Sequence, residues 1–207
     1  MGKPAVGILM GSDSDLPVMQ EAAAMLQEFG IEYEMTIASA HRTPKKVHEY
    51  SQSAERRGLK VIIAGAGWAA HLAGVVASQT TLPVIGVPID SSPLKGIDAL
   101  LSVAQMPGGV PVATMSLGKA GAKNAGVFAA QIIAVGDVKV ANRLKVFKVE
   151  MERDVEEKAK RLVAISAVVT PPREMVAAEG PPAKKKSRRR RWKKKPGGSA
   201  PAQVPVL

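Results

Sequence analysis

No cysteine occurs in the 207 residues, so there is no disulfide framework, no thiolate metal site and no thiol nucleophile. That lack suits a reducing cytoplasm, the compartment expected for the chain. No secretory leader is expected either, because "MGKPAVGILMGSDSD" has neither a long apolar core nor a small-residue cleavage site. Val6 stands where an N-myristoylation motif requires serine or threonine. The uncharged run from Val61 to Ile89 is broken by glycines, His71, Gln79, two threonines and two prolines. It reads as a buried strand, helix and strand, not as a membrane span, so no membrane partner is expected. A dinucleotide fingerprint is missing, since no third glycine follows Gly65 and Gly67 at the required offset, and no phosphate loop ends in GK[ST]. No residue cluster has metal-ligand spacing, so no metal is expected. Chemistry here has to rest on a titrating ring, bound charges and excluded water.

What is present is unevenly distributed. The net charge of +11 is mostly a tail: residues 166–207 hold 11 Lys/Arg against 2 Asp/Glu, a net +9. The rest of the chain is close to neutral. The tail contains seven prolines and the block "KKKSRRRRWKKK", with little apolar periodicity. Two regions follow: a folded domain over residues 1–165 and a disordered, Pro-rich basic tail over residues 166–207.

Within the domain, strand-like and helix-like segments alternate. "AVGILM" is a short apolar run. In "LPVMQEAAAMLQEFG" the apolar residues Leu16, Met19, Ala22, Ala23 and Leu26 fall at helical spacing, with Pro17 in the first turn and Gly30 past the end. "IEYEMTIA" alternates as a strand does, and "TPKKVHEYSQSAERRG" is again opened by proline and closed by glycine. The strands "LKVIIAGAG", "LPVIGVPI" and "VPVATMSL" then alternate with helices in "AAHLAGVVASQT", "GIDALLSVAQM" and "KNAGVFAAQIIAVG". This cadence predicts a five-stranded parallel sheet covered by helices on both faces, a flavodoxin-like three-layer α/β fold. From Asp137 to about Ile165, Val140, Leu144, Phe147, Met151, Val155, Ala159 and Leu162 step by threes and fours along one face of a long helix. Two readings of that stripe stand side by side. It packs on its own domain, or part of it docks on another subunit.

In a wound parallel sheet, ligands gather beyond the carboxyl ends of the strands. Three loops fall there: "GSDSD", "SAHRTP" and "AGAGWAAH". The first brings Gly11, Ser12 and Ser14 to a helix amino terminus, where free N–H groups and hydroxyls favour an anion. Asp15 would repel a phosphate but accept hydrogen bonds from ribose hydroxyls, so a sugar phosphate suits both halves. A plain Asp/Ser helix cap explains the same residues. The second loop supplies Ser39 and Arg42, whose fixed positive fork suits phosphate. His41 sits between them, a ring able to give and take a proton near neutrality; a loop histidine satisfied by backbone is its alternative. His48 lies on a helix among charged residues and reads as surface decoration. His71 is open between a buried hydrogen-bonded histidine and a ligand contact.

Taken together, "MGSDSDLP", "SAHRTP", "AGAG" with "AAHL", "PVIGVP", "QMPGGVPVAT" and "GKAGAKNAG" resemble the bacterial class I N-carboxyaminoimidazole ribonucleotide mutases, the PurE family of purine biosynthesis. The similarity spans roughly Pro4 to Val163. It implies a flavodoxin-like subunit in a homo-octamer, a nucleotide substrate, no cofactor and no metal. It implies isomerisation of the N-carboxy to the 4-carboxy form of aminoimidazole ribonucleotide, with His41 as general acid and base. Ser12, Asp15 and Arg42 match the family's substrate-binding positions, with Ser14 and Ser39 beside them. Gly65 and Gly67 are expected to hold the migrating carboxyl group, His71 matches a second histidine of the site region, and "QMPGG" is expected to reach a neighbour's site.

The chain departs from that family at two positions and in its tail. Trp68 replaces the second glycine and Ala73 the proline of a Gly-Gly-Ala-Ala-His-Leu-Pro-Gly pattern. If the backbone there has positive φ, an indole strains the turn or fills the pocket. Ala73 only relaxes a restriction. Two other functions stay in view: a carboxylase acting directly on aminoimidazole ribonucleotide, and a catalytically impaired shell whose basic tail binds nucleic acid without sequence preference.

Overall fold

The computed structural model describes residues 2–169, with the side chains of 164–169 left aside. The tail called out over residues 166–207 lies outside the described residues, apart from its first four, which continue the last helix to Val169.

Five strands form one parallel sheet in the order β2-β1-β3-β4-β5. They are β1 (Val6–Met10), β2 (Tyr33–Ile37), β3 (Val61–Gly67), β4 (Val84–Ile89) and β5 (Ala113–Thr114). The helices are α1 (Leu16–Glu28), α2 (Pro44–Arg57), α3 (Leu72–Ala77), α4 (Ile97–Ala104), α5 (Gly118–Ala134) and α6 (Val138–Val169). A one-turn 3-10 helix, Asp13–Asp15, leads into α1. The flavodoxin-like order puts β1 beside β3, and the connections that leave these two strands, through α1 and α3, go to opposite faces of the sheet.

The central strands are apolar at every position because both faces are covered. Ile8 and Ile63 point into a layer shared with Met19 and Leu26 of α1 and with Ala122, Ala125 and Ala129 of α5. Their neighbours Leu9 and Ile62 point the other way, toward Val47 of α2, Val76 of α3 and Val103 of α4. Small residues let α5 lie close: a Cβ on Gly126 would come within 2.7 Å of the Ala22 carbonyl.

Two elements are shorter than the sequence pattern suggests. β5 has two residues where "VPVATMSL" reads as a full strand. It pairs only with β4, and Pro111 just before it brings no N–H to a ladder. α3 has six residues, ending where Ser78 and Gln79 turn back toward β4. The stripe of the long helix divides into two parts. Val140, Leu144 and Phe147 pack on the α1/α5 layer, and Phe147 meets Phe29 edge-on at 5.3 Å. Met151 and Val155, further along, are 48% and 65% exposed. Among the described residues no helix is long and apolar enough to cross a membrane.

Candidate functional site

The carboxyl ends of β1, β2 and β3 lie side by side, so the three loops predicted to carry chemistry open onto one pocket of about 560 Å³. Ser12, Ser14, Asp15, Ser39, His41, Arg42, Gly67 and His71 all line it.

The first loop is held by its own hydrogen bonds. Ser12 is extended and caps the one-turn helix. Its amide donates to Asp15 Oδ2 at 3.0 Å, its Oγ accepts the Ser14 amide at 3.4 Å, and its hydroxyl donates to Asp13 Oδ1 at 2.9 Å. The cap reading is therefore realised, and it coexists with a pocket. Asp15 is buried. Burial pushes its carboxyl above the ordinary value, against the pull of the Ser12 and Gly11 amides and the Arg42 charge. Asp13 faces water, and the Ser12 hydroxyl leads the contacts that lower its pKa. The Gly11 amide also donates to the Gly65 carbonyl at 3.2 Å, tying the loop to β3.

The second loop folds on itself through Thr43. Ser39 N donates to Thr43 Oγ1 at 2.9 Å, and Thr43 Oγ1 donates back to the Ser39 carbonyl at 3.1 Å. Arg42 then reaches across: Nη2 donates to the Gly11 carbonyl at 2.7 Å, and Nε meets Ser39 Oγ at 3.5 Å. Two of the five guanidinium N–H groups thus fix the side chain, and others remain to meet an anion. Lys46 caps the end of β2 by donating to the Ile37 carbonyl at 2.6 Å.

His41 is not a solitary ring. Its Nε2 lies 2.8 Å from His71 Nδ1, with ring centroids 4.9 Å apart and planes at 75°. One nitrogen donates and the other accepts, so the tautomers of the two rings are locked to each other. The contact leaves His41 Nδ1 and His71 Nε2 outside it. His71 is hydrogen-bonded but exposed, which is neither of the two sequence readings taken alone. His48 is exposed and pairs with Gln79 Oε1 at 2.8 Å, away from the pocket.

Gly65 does not line the pocket. It lies within β3, and a Cβ there would stand 2.2 Å from Met19 Sδ. Its missing side chain lets α1 close on the sheet. Gly67 does line the pocket, and its Cβ would stand 1.9 Å from Ser91 Oγ. Trp68 follows with φ +54, the positive value at which an indole was expected to strain the turn. It borders the pocket and is 58% exposed, so the pocket is not filled. Ser91 was missed by sequence reasoning, although it falls two residues past the carboxyl end of β4, where the same rule would have found it. Among the described residues no group of His, Asp and Glu could hold a metal ion.

Comparison with known proteins adds the family. The AIR carboxylase family matches residues 5–154. A Thermotoga maritima protein named N5-carboxyaminoimidazole ribonucleotide mutase is 59% identical over 162 residues, covering 78% of this chain and 94% of that one. A Saccharomyces cerevisiae phosphoribosylaminoimidazole carboxylase is 50% identical over 165 residues, which are 80% of this chain but 28% of the yeast protein. The crystal structure of Treponema denticola PurE superposes with a TM-score of 0.69 at 32% identity, covering 77% of this chain and 98% of that one.

Proposed function

We infer the function from one premise: the chain belongs to the AIR carboxylase family, and three of its loops meet in a pocket with a paired histidine, a braced arginine and a buried carboxylate. Its activity is the mutase reaction of purine biosynthesis, isomerisation of N-carboxyaminoimidazole ribonucleotide to 4-carboxyaminoimidazole ribonucleotide. The observation that carries the site assignment is the convergence of His41, Arg42, Ser12 and Asp15 on that pocket.

The roles follow from what each group can do. The capped Ser12–Asp15 turn and the Arg42 fork take the ribose phosphate, with Ser14 and Ser39 adding hydroxyls. Asp15 accepts from ribose hydroxyls with the lone pairs that the Ser12 amide leaves over. His41 gives a proton to the exocyclic nitrogen as the N–C bond of the carbamate breaks and carbon dioxide departs. The ring carbon then attacks the trapped carbon dioxide, forming the new C–C bond. The now neutral imidazole takes the ring proton and aromaticity returns. His71 holds the His41 ring in place and fixes which nitrogen carries hydrogen. A chain without cysteine acting on a phosphorylated nucleotide fits the cytoplasm.

The exposed apolar residues Met151 and Val155 of α6 support assembly into a homo-octamer, with the 105–109 loop of a neighbour reaching the site. The ten charges and Trp192 of "KKKSRRRRWKKK" support sequence-independent nucleic-acid binding. Deleting residues 166–207 tests the latter: nucleic-acid binding should vanish and mutase turnover stay.

The main test is direct. Purified protein should interconvert the two carboxylated nucleotides without ATP, and much faster than it carboxylates aminoimidazole ribonucleotide in bicarbonate buffer. A faster rate from the decarboxylated nucleotide would replace the mutase reading with the carboxylase one.

A further inference from the structure

One feature of the pocket is asked for by neither the fold nor the isomerisation: the indole of Trp68. The backbone reaches it under constraint, because Gly67 already lies so close to β4 that a Cβ would stand 3.1 Å from the Ile89 carbonyl. Trp68 then turns at φ +54, where the Cβ of an L residue crowds the backbone and glycine is the ordinary occupant. Among the described residues only Lys95 is another non-glycine residue at positive φ. A bulky side chain kept in that region is rare, and such strain concentrates where a side chain is used.

The position of the ring gives it a use. Phe29 and Phe147 pack on each other, and Tyr50 lies beneath the Arg57 guanidinium, so those rings serve the fold. Trp68 alone among them borders the pocket, and 58% of it is open to water. Around it the pocket offers hydroxyls, a carboxylate, a guanidinium and two imidazoles, which suit a sugar phosphate and a proton transfer. It offers one other large flat surface for a heterocycle, and that surface is the indole.

We propose that Trp68 is a specificity-determining wall of the pocket, its indole stacking on the bound aminoimidazole ring and covering the solvent side while carbon dioxide is free. The proposal rests on the mutase reading. A π face against a flat heteroaromatic ring gains both contact and burial that the open pocket lacks. The same cover hinders escape of an apolar gas between the two halves of the reaction.

The test uses the full chain carrying Trp192→Phe, which leaves Trp68 as the remaining indole of the two in the sequence. Titration with 4-carboxyaminoimidazole ribonucleotide should change Trp68 emission saturably, whereas ribose 5-phosphate, which lacks the heterocycle, should leave it unchanged. Trp68→Gly, which relieves the backbone, should raise KM by about two- to tenfold. It should also raise several-fold the share of turnovers that end as free aminoimidazole ribonucleotide and carbon dioxide. Trp68→Phe should recover much of both. Unchanged emission at saturating product, in protein that turns over, would overturn the stacking role and leave the mutase reading intact; an indole packed on a neighbouring subunit would give that result. Emission that responds to product in protein that does not interconvert the nucleotides would do the reverse. A Trp68→Gly enzyme as tight and as retentive as its parent would also sink the proposal.

Discussion

The rim of the pocket and one face of the outer half of α6 both hold side chains in water, but largely of opposite kinds. At the rim, Trp68 apart, they are polar and already hydrogen-bonded: His41 to His71 and Arg42 to the Gly11 carbonyl, with the Ser12 amide tied to the buried Asp15 beneath them. Along one face of α6, among charged neighbours such as Arg153 and Glu157, stand the exposed apolar residues Met151 and Val155, four residues apart. Polar groups braced by their neighbours wait for a small ligand without needing to reorganise. Apolar groups in a row lower their free energy only by being covered, so another protein surface is the kind of partner that would suit them. Exposure at the two places therefore suits different partners, and each can be tested without the other.

Four changes press on that difference. His41→Asn should cut mutase turnover by about 10²–10⁴-fold, with the melting temperature and assembly size of the parent; a similar loss from His71→Asn would show that the pair acts as a unit. Met151→Glu with Val155→Glu should leave the subunit folded by circular dichroism but shift sedimentation from a large assembly toward small species. An unchanged sedimentation coefficient would remove α6 from the interface. Asp15→Asn should weaken nucleotide binding by about ten- to a hundredfold, the range of a hydrogen bond to a charged group. Because burial raises the folded pKa of Asp15 above its unfolded value, the native state holds that proton more tightly than the unfolded chain does. The group costs stability at neutral pH, and the cost fades as pH falls through the folded pKa. The Asn variant should thus melt no lower than the parent at pH 7, and the advantage should shrink in acid. Smallest is Gly65→Ala. Beneath the rim, it pushes a methyl against Met19 and should cost about 1–3 kcal/mol of stability in chemical denaturation, with KM little changed in protein that remains folded.

Much of the fold was legible in the chain because its signals are local. Pro17 and Gly30 bracket α1, Pro44 and Gly58 bracket α2, and both show in a window of a few residues. The apolar runs of β1, β3 and β4 announce strands covered on two faces. The edge strand β5 was overestimated: its ladder with β4 covers two residues, and how far a segment pairs is a fact of the sheet and not of the segment. At the site, loop position carried Ser12, Asp15, Ser39, His41 and Arg42 into the pocket as expected. The family resemblance also suggested Gly65, which lies within β3 against Met19 of α1.

The amino-acid sequence by itself determined the order of strands and helices, the caps that bound them, and which loops carry hydroxyls, an arginine and a histidine. It did so because helix and strand periods, proline and glycine act within a few residues of where they stand. Tertiary structure alone decided that His41 and His71, thirty residues apart, share a hydrogen bond, that Ser91 joins the pocket, and that Trp68 turns at positive φ beside it. Those outcomes depend on which strand lies next to which, and sheet order is set by the burial of two whole core layers rather than by any one segment.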